Sequence, residues 1–210
     1  MRTKTLLLTA ALGVAGIATS MAQVYSVNAV GYVNVAVPNG FSLIANPLDA
    51  GAGNNTIVKL FANVADGTTI YKFNNATGQY SVNVNDGGEW GNPSDTLEPG
   101  DGAFIKNPGT TTTVTFVGEV KQGHLTTAIP AGFSIKSSQV PQSGQLDTVL
   151  GFPAADGDVV YRYNNAAGTY VVSVNDGGEW SSIPTPNVGE AFFVKKVAAT
   201  SWVRDFSVNQ

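Results

Sequence analysis

The heptapeptide Val-Asn-Asp-Gly-Gly-Glu-Trp occurs twice in this chain, at residues 84–90 and again, unchanged, at residues 174–180. The copies lie 90 positions apart, and their flanks are repeated as well. Residues 31–41 match residues 123–133 at an offset of 92. The small drift between these offsets places the insertions in loops, where extra length costs little closure entropy. The chain therefore consists of two related halves, and each half must be able to form the same unit.

Both halves show the alternation of apolar and polar residues that is typical of half-buried β-strands. In the clearest case, Tyr71 and Phe73 precede a turn at residues 74–78, and a second strand follows. On that strand, one face carries Tyr80, Val82 and Val84, and the other carries Ser81, Asn83 and Asn85. The second half repeats the pattern. We expect two long hairpins with Tyr80 and its counterpart Tyr170 facing the core.

Helical spacing is confined to one short segment in each half. Four apolar residues between Asn54 and Val64 predict one short helix or 3₁₀ turn, with Thr56 as its cap. The counterpart at residues 146–152 is weaker, because a glycine interrupts it and a proline follows it. Each half is therefore expected to contain at most one short helix.

The sequence predicts an all-β fold made of two tandem repeats of about 90 residues, each a small β-sandwich or half-barrel. Residues 23–120 are expected to form repeat 1, and residues 121–210 are expected to form repeat 2. No segment rich in Pro, Ser or Gly separates them, so we expect the two repeats to pack on each other.

Residues 1–22 are typical of a secretory signal peptide. Arg2 and Lys4 supply the positive start, residues 6–17 form the apolar run, and residues 20–22 form a small-x-small cleavage site. A bilayer span needs about 20 apolar residues, so the run is too short to stay in the membrane. The protein is expected to be exported to the periplasm, the cell surface or the medium, with no membrane insertion after cleavage.

The net charge indicates which partners the protein can bind, and the cysteine content indicates how its fold is stabilised. Without Arg2 and Lys4, nine basic residues remain against fifteen acidic ones, a net charge of −6 that is spread along the chain. We therefore expect no nucleic-acid partner, because binding to phosphate groups needs a basic face on the protein. The chain has no cysteine, so its core must hold the fold without disulfides.

The segment after the signal contains the strand Gly-Tyr-Val-Asn-Val at residues 31–35, followed by Gly-Phe-Ser-Leu-Ile-Ala-Asn at residues 40–46. Residues 99–104 add Pro-Gly-Asp-Gly-Ala-Phe. In these motifs the chain resembles a group of bacterial secreted β-repeat proteins without an assigned activity. The second copy departs from the pattern at residues 134–140. The resemblance implies export and a repeated β-fold.

Candidate ligand-binding residues lie in the repeated heptapeptide. They are Asn85, Asp86, Glu89 and Trp90 in repeat 1, and Asn175, Asp176, Glu179 and Trp180 in repeat 2. Paired carboxylates suit glycoside hydrolysis, and carboxylate and amide oxygens suit calcium. Asp-Gly-Gly is also a favoured turn sequence, in which Asp bonds its own turn backbone. We favour the turn and predict no metal, no cofactor and no catalytic residue.

The two tryptophans separate two hypotheses. An indole face that is open beside the polar loop suits the stacking of a sugar, whereas a buried indole would close one end of the repeat. We favour burial. The alternation of Tyr71, Phe73 and their counterparts indicates core positions.

Three functions are compatible with the sequence. The first is a non-enzymatic exported or cell-envelope structural protein that self-associates through exposed strand edges. The second is a polysaccharide-binding module that uses Trp90, Trp180 and the adjacent loops. The third is a hydrolase that uses the carboxylate pairs. We favour the first, because the repeats share no histidine and no recognisable nucleophile.

Overall fold

The computed structural model of the protein describes residues 29–209. The expected signal peptide at residues 1–22 lies outside these residues. The described residues form β1 (Val30–Val37), β2 (Gly40–Ile44), α1 (Ile57–Leu60), β3 (Thr69–Asn74), β4 (Gln79–Asp86), β5 (Glu89–Trp90), β6 (Ala103–Asn107), β7 (Thr112–Glu119), β8 (Gly123–Ile129), β9 (Gly132–Lys136), β10 (Val159–Asn164), β11 (Thr169–Asp176), β12 (Glu179–Trp180), β13 (Phe192–Lys196) and β14 (Thr200–Phe206). None of their helices has the length and apolar character needed to cross a membrane.

The strands form two similar sets. Sheet 1 has the order β2-β6-β3-β4-β5, and sheet 2 has the equivalent order β9-β13-β10-β11-β12. Ribbon 1 is the antiparallel pair β1-β7, and ribbon 2 is the pair β8-β14. Each ribbon packs on its own sheet, so the prediction of an all-β fold with a duplicated sandwich arrangement is confirmed. Four pairs of aromatic residues at corresponding sequence positions occupy equivalent strands: Tyr71 with Tyr161, Tyr80 with Tyr170, Trp90 with Trp180, and Phe104 with Phe193.

The one helix among residues 29–209 is short. α1 covers four residues, and Thr56 lies at its N-cap position without a hydrogen bond from its side chain to the helix. Ile57 and Phe61 are buried in the core of repeat 1. In repeat 2 the equivalent segment is only a turn, which closes when the Phe152 amide donates to the Leu146 carbonyl at 2.9 Å. The weaker signal at residues 146–152 is therefore reflected in the structure.

The two repeats are related by a local pseudo-two-fold axis. The Ala45 amide of repeat 1 donates to the Gly189 carbonyl of repeat 2 at 2.9 Å. At the equivalent positions, the Ser137 amide of repeat 2 donates to the Gly100 carbonyl of repeat 1 at 3.0 Å. A shared cluster fills the space between the sheets; it consists of Leu43, Ala45, Phe104, Ile135, Ala191 and Phe193. The repeats thus have one core each and a third cluster in common.

Gly102 marks a close approach of the two repeats. A Cβ atom at this position would lie 2.4 Å from the Cβ of Ala191 and 2.6 Å from the Ile135 side chain. Ala191 is the counterpart of Gly102, so only one of the two equivalent sites has room for a methyl group. A glycine here serves packing, because its φ does not lie in the left-handed region.

The orientation expected for β4 and β11 is wrong. Tyr80 and Tyr170 are each 42% exposed, whereas Asn83 and Asn85 on the opposite face are buried. The buried amides are accommodated because they bond loop backbone: the Asn83 side chain donates to the Asn92 carbonyl at 2.8 Å and accepts from the Asn92 amide at 2.9 Å. The apolar face of β4 instead continues the side of sheet 1 that meets the other repeat.

Candidate functional site

Each copy of the repeated heptapeptide forms the tip of a tight hairpin. In repeat 1, Asp86 pairs with Glu89 across the two strands, which leaves Gly87 and Gly88 as the turn residues. Both glycines have positive φ, 62° and 90°, as a type I′ turn requires. The equivalent glycines of repeat 2 have φ values of 60° and 91°. The Gly-Gly pair is therefore explained by backbone conformation.

A preceding loop anchors each turn through an aspartate that the sequence argument missed. The Asp66 carboxylate accepts a hydrogen bond from the Gly87 amide at 2.6 Å, and Asp156 accepts one from Gly177 at 2.8 Å. We expected Asp86 to accept a hydrogen bond from the backbone of its own turn, but Asp66 accepts that bond instead. Asp66 and Asp156 are separated by the same 90 positions as the heptapeptides, which is the signal that would have revealed them.

Asn85 and Asn175 lie inside their repeats. They are only 4% and 1% exposed. The Asn85 side-chain amide donates to the Ala65 carbonyl at 3.2 Å and thereby ties the hairpin to the loop before β3. Both asparagines are therefore buried, and their Oδ1 atoms have no hydrogen-bond partner among residues 29–209.

The two tryptophans differ in exposure. Trp90 is 7% exposed and packs 6.3 Å from the ring of Phe61, so it offers no open face for stacking. Trp180 is half-buried against the core of repeat 2. Its Nε1 atom is buried and has no hydrogen-bond partner in the part of the chain that the structure describes.

The four candidate carboxylates, Asp86, Glu89, Asp176 and Glu179, are exposed. In repeat 1, an open cavity of about 480 Å³ is lined by Asp66, Asn85, Asp86, Glu89 and Trp90. Within residues 29–209, no group of three or more His, Asp or Glu side chains is arranged to hold a metal ion. The structure thus brings the residues of each heptapeptide to one hairpin, where the carboxylates are exposed, the asparagines and Trp90 are buried, and Trp180 is half-buried.

The most extensive feature outside the heptapeptides is a surface of ten aromatic rings, which we call the aromatic face. Its members are Phe41, Tyr71, Phe73, Tyr80, Phe104, Phe133, Tyr161, Tyr163, Tyr170 and Phe193. Phe104 and Phe193 at its centre are buried in the shared cluster, 6.0 Å apart. The outer rings are half-buried or exposed. Tyr71 and its equivalents were expected in the core, and they lie at the rim of the shared cluster.

Rings of one repeat contact rings of the other across the axis. Phe73 packs edge-on against Phe193 at 5.3 Å, and at the equivalent contact Tyr163 packs edge-on against Phe104 at 5.5 Å. Edge-to-face pairs of this kind add about 0.5 to 1.5 kcal/mol beyond the burial of area. The aromatic face is therefore held rigidly by both repeats.

Two equivalent cavities open on the aromatic face. The first, of about 300 Å³, is lined by Phe41, Tyr71, Tyr80, Phe104 and Tyr163. The second, of about 340 Å³, is lined by Phe73, Tyr80, Phe133, Tyr161, Tyr170 and Phe193. The two cavities share Tyr80. Burial, together with the nearby Tyr80 and Tyr163 hydroxyls, raises the pKa of Tyr170 to about 12.

The tips of the two long hairpins expose strand edges. In β4, the outer edge is paired with β5 at Asn85 and Asp86. The Gly91 amide donates to the Val84 carbonyl at 3.0 Å, which shows that Val84 directs its backbone groups outward. Alternate residues of an antiparallel strand point the same way, so Tyr80 and Val82 also direct their N–H and C=O groups to the outer edge.

Strand β11 repeats this arrangement. Its outer edge is paired at Asn175 and Asp176, and the Ser181 amide donates to the Val174 carbonyl at 2.8 Å. We call residues 79–82 and residues 169–172 the open edges. All eight residues are exposed. The chain thus presents two equivalent strand edges that lack a backbone partner within residues 29–209.

Comparison of the chain with protein-family models, with curated protein sequences and with solved structures gave no match.

Proposed function

We propose that the protein is a non-enzymatic, exported structural protein that self-associates by pairing its open edges. The observation that supports this function is the pair of equivalent strand ends at residues 79–82 and 169–172. Their outward backbone groups are ready to pair with another strand, and a second copy of the chain supplies the same kind of edge.

Apart from their short length, the open edges lack the features that usually prevent such pairing. Natural edge strands are blunted by Lys, Pro, bulges or covering loops. The sequences here are Gln-Tyr-Ser-Val and Thr-Tyr-Val-Val, with no charge and no proline. Val82 is 54% exposed and Val172 is 45% exposed, so pairing would also bury apolar side chains. β-Branched and aromatic residues of this kind favour cross-strand contacts.

The number of edges determines the kind of assembly. A protein with one self-complementary edge forms a closed dimer, whereas one with two separate edges can continue to add copies. The pseudo-two-fold axis places one open edge in each repeat. Each molecule can therefore pair with one further copy at each of its two edges, and the assembly can grow at both ends. A linear assembly of folded units is the structure that this geometry supports.

Sedimentation velocity on purified variants tests the proposal. The wild-type protein is expected to form oligomers larger than dimers as its concentration rises. In the double variant Val82→Lys with Val172→Lys, like charges oppose each other at every edge contact, and we expect a monomer. Val197→Lys is the matched control, because Val197 is an exposed valine in a turn.

The single variants reveal which edges pair. If β4 pairs with β4 and β11 with β11, Val82→Lys and Val172→Lys each give dimers. If β4 pairs with β11, each single variant puts one lysine into every contact without an opposing like charge, so both single variants should weaken the assembly equally and neither should stop at a dimer. A wild-type protein that stays monomeric at high concentration would contradict the proposal. So would a double variant that associates as strongly as the control.

A further inference from the structure

The twin cavities of the aromatic face have properties that self-association through the open edges does not use. Among residues 29–209, both are lined only by Phe and Tyr side chains, and no charged side chain lines either one. Two lysines lie beside the cavities: the ammonium groups of Lys106 and Lys195 lie over the outer rings Phe41 and Phe133 at 5.9 and 5.8 Å.

The tyrosine hydroxyls of the cavities are available for binding. Tyr71, Tyr80, Tyr161, Tyr163 and Tyr170 contribute hydroxyl groups, and none of these has a hydrogen-bond partner among residues 29–209. A hydroxyl both donates and accepts hydrogen bonds. The lining therefore combines apolar ring surfaces with a small number of free polar groups, the composition that is usual for ligand sites.

The absence of charge from both linings selects an uncharged occupant. Lys106 and Lys195 lie over the rings of Phe41 and Phe133 and do not line the cavities, so an ionic ligand inside a cavity would lose its hydration without direct contact with an opposite charge. A purely apolar ligand would cover the tyrosine hydroxyls and leave them unpaired, which costs binding energy. A neutral sugar meets both conditions, because its C–H groups pack on the partly negative ring faces while its hydroxyls bond those of tyrosine.

We infer that the aromatic face binds a neutral polysaccharide chain, with neighbouring sugar rings in the two cavities. The cavities adjoin at Tyr80 and are equivalent by the pseudo-two-fold relation, so one polymer with repeated units can occupy both. Their volumes lie at the lower end of the range of about 300 to 1,000 Å³ for ligand sites, as is appropriate for one sugar ring each. This site is separate from the heptapeptide hairpins.

Tyrosine ultraviolet difference spectroscopy tests this inference. The probes are four neutral hexasaccharides, namely β-1,4-glucan, α-1,4-glucan, β-1,4-xylan and β-1,4-mannan, with cyclohexane as an apolar probe that has no polar group and does not absorb with tyrosine. At least one hexasaccharide is expected to give a saturable change in the tyrosine spectrum. The double variant Tyr71→Phe with Tyr161→Phe keeps the rings and removes one hydroxyl from each cavity, so its affinity should fall about 25-fold.

Tyr32→Phe is the matched control, because Tyr32 is an exposed tyrosine on ribbon 1 and should leave the affinity unchanged. The variants leave both open edges intact. Because Tyr80 and Tyr170 belong both to the open edges and to the cavities, the titrations use a concentration at which the protein is monomeric. Failure of all four hexasaccharides to bind would overturn the inference. Saturable binding of cyclohexane alone would overturn it in favour of an apolar occupant. An affinity equal in the double variant and the control would place any bound sugar elsewhere.

Discussion

The two repeats fill their cores with large aromatic residues from different places. In repeat 1, Phe61 from the end of α1 packs edge-on against Phe116 of ribbon 1 at 5.9 Å and lies beside Trp90. In repeat 2, Phe152 packs edge-on against Trp202 of ribbon 2 at 5.3 Å. The repeated heptapeptide therefore places a buried tryptophan in one core and a half-buried tryptophan in the other.

The strand pairings show at which equivalent positions the two repeats differ in side-chain size. Ala103 and Phe192 occupy equivalent sheet positions, opposite Ile44 and Lys136. Val114 and Trp202 likewise occupy equivalent ribbon positions. At both positions repeat 2 has the larger residue. Cores tolerate such changes when the total side-chain volume is kept. The two repeats therefore retain the same strand register although different residues fill their cores.

A second difference concerns polar groups. Repeat 2 buries an ion pair between Lys196 and Asp158, which are 3% and 0% exposed. The equivalent residues of repeat 1 are Asn107 and Thr68. Asn107 is satisfied without charge, because its side chain donates to the Val37 carbonyl at 3.0 Å and to the Thr110 carbonyl at 2.8 Å. The same backbone thus accommodates either an ion pair or a neutral side chain with its own hydrogen bonds at these positions.

The largest expected effect comes from breaking the ion pair. Lys196→Ala leaves the Asp158 carboxylate buried without its partner, and we expect a loss of about 3 to 5 kcal/mol in the free energy of unfolding. The double variant Lys196→Asn with Asp158→Thr copies repeat 1 and should recover most of that loss. Urea unfolding followed by circular dichroism measures both. If the double variant is as unstable as Lys196→Ala, the neutral residues of repeat 1 cannot replace the ion pair of repeat 2.

The next effect separates the tryptophans. Trp90→Ala removes a buried ring and should lower the free energy of unfolding by about 3 to 5 kcal/mol. Trp180→Ala should cost about 1 to 2 kcal/mol, because a half-buried ring loses less on truncation. Denaturant titration of both variants provides the comparison. Equal losses would mean that repeat 2 depends on its heptapeptide tryptophan as much as repeat 1 does.

The strand pattern and the turns were predictable from the sequence because they depend on neighbouring residues. Alternation located the hairpins, and the paired glycines located the type I′ turns. The buried face of β4 was not predictable in this way. Alternation separates two faces without deciding which is inside, and here Asn83 and Asn85 find partners inside while Tyr80 and Val82 belong to the face shared by the repeats.

The candidate site was predictable only in part, because long-range contacts create it. The heptapeptide residues do lie together at each hairpin, as adjacency in sequence requires. The aromatic face draws rings from eight strands of both repeats, separated by more than 100 positions. Its cavities depend on the pseudo-two-fold packing of the repeats, and no local pattern encodes that packing.

A smaller effect tests the corrected orientation of β4. Tyr80→Ala should lower the free energy of unfolding by only about 1 to 2 kcal/mol, because much of the ring is already in solvent. Phe104→Ala, at the buried centre of the same face, should cost about 3 to 5 kcal/mol. Thermal and urea unfolding measure the difference. A loss for Tyr80→Ala as large as that for Phe104→Ala would restore the orientation expected from the sequence.

The smallest effect appears at alkaline pH. Burial raises the pKa of Tyr170 from 10.0 to about 12, with the Tyr80 and Tyr163 hydroxyls contributing. Because the folded protein holds this proton more tightly than the unfolded chain, the stabilisation is complete below pH 10 and is lost as the pH rises towards 12. Tyr170→Phe should flatten this decline in unfolding experiments. A wild-type tyrosinate titration with no late-ionising group would contradict the assignment.

Residue-resolved amide hydrogen exchange tests the central claim, that the two repeats expose equivalent pairing edges. In dilute solution, the amides of Tyr80, Val82, Tyr170 and Val172 are expected to exchange rapidly. Those of Ser81 and Asn83 should be protected by β3, which they face across the hairpin. At concentrations where the protein associates, the four outward amides should become protected. Protection of these amides in the dilute monomer, or no change in them on association, would contradict the account.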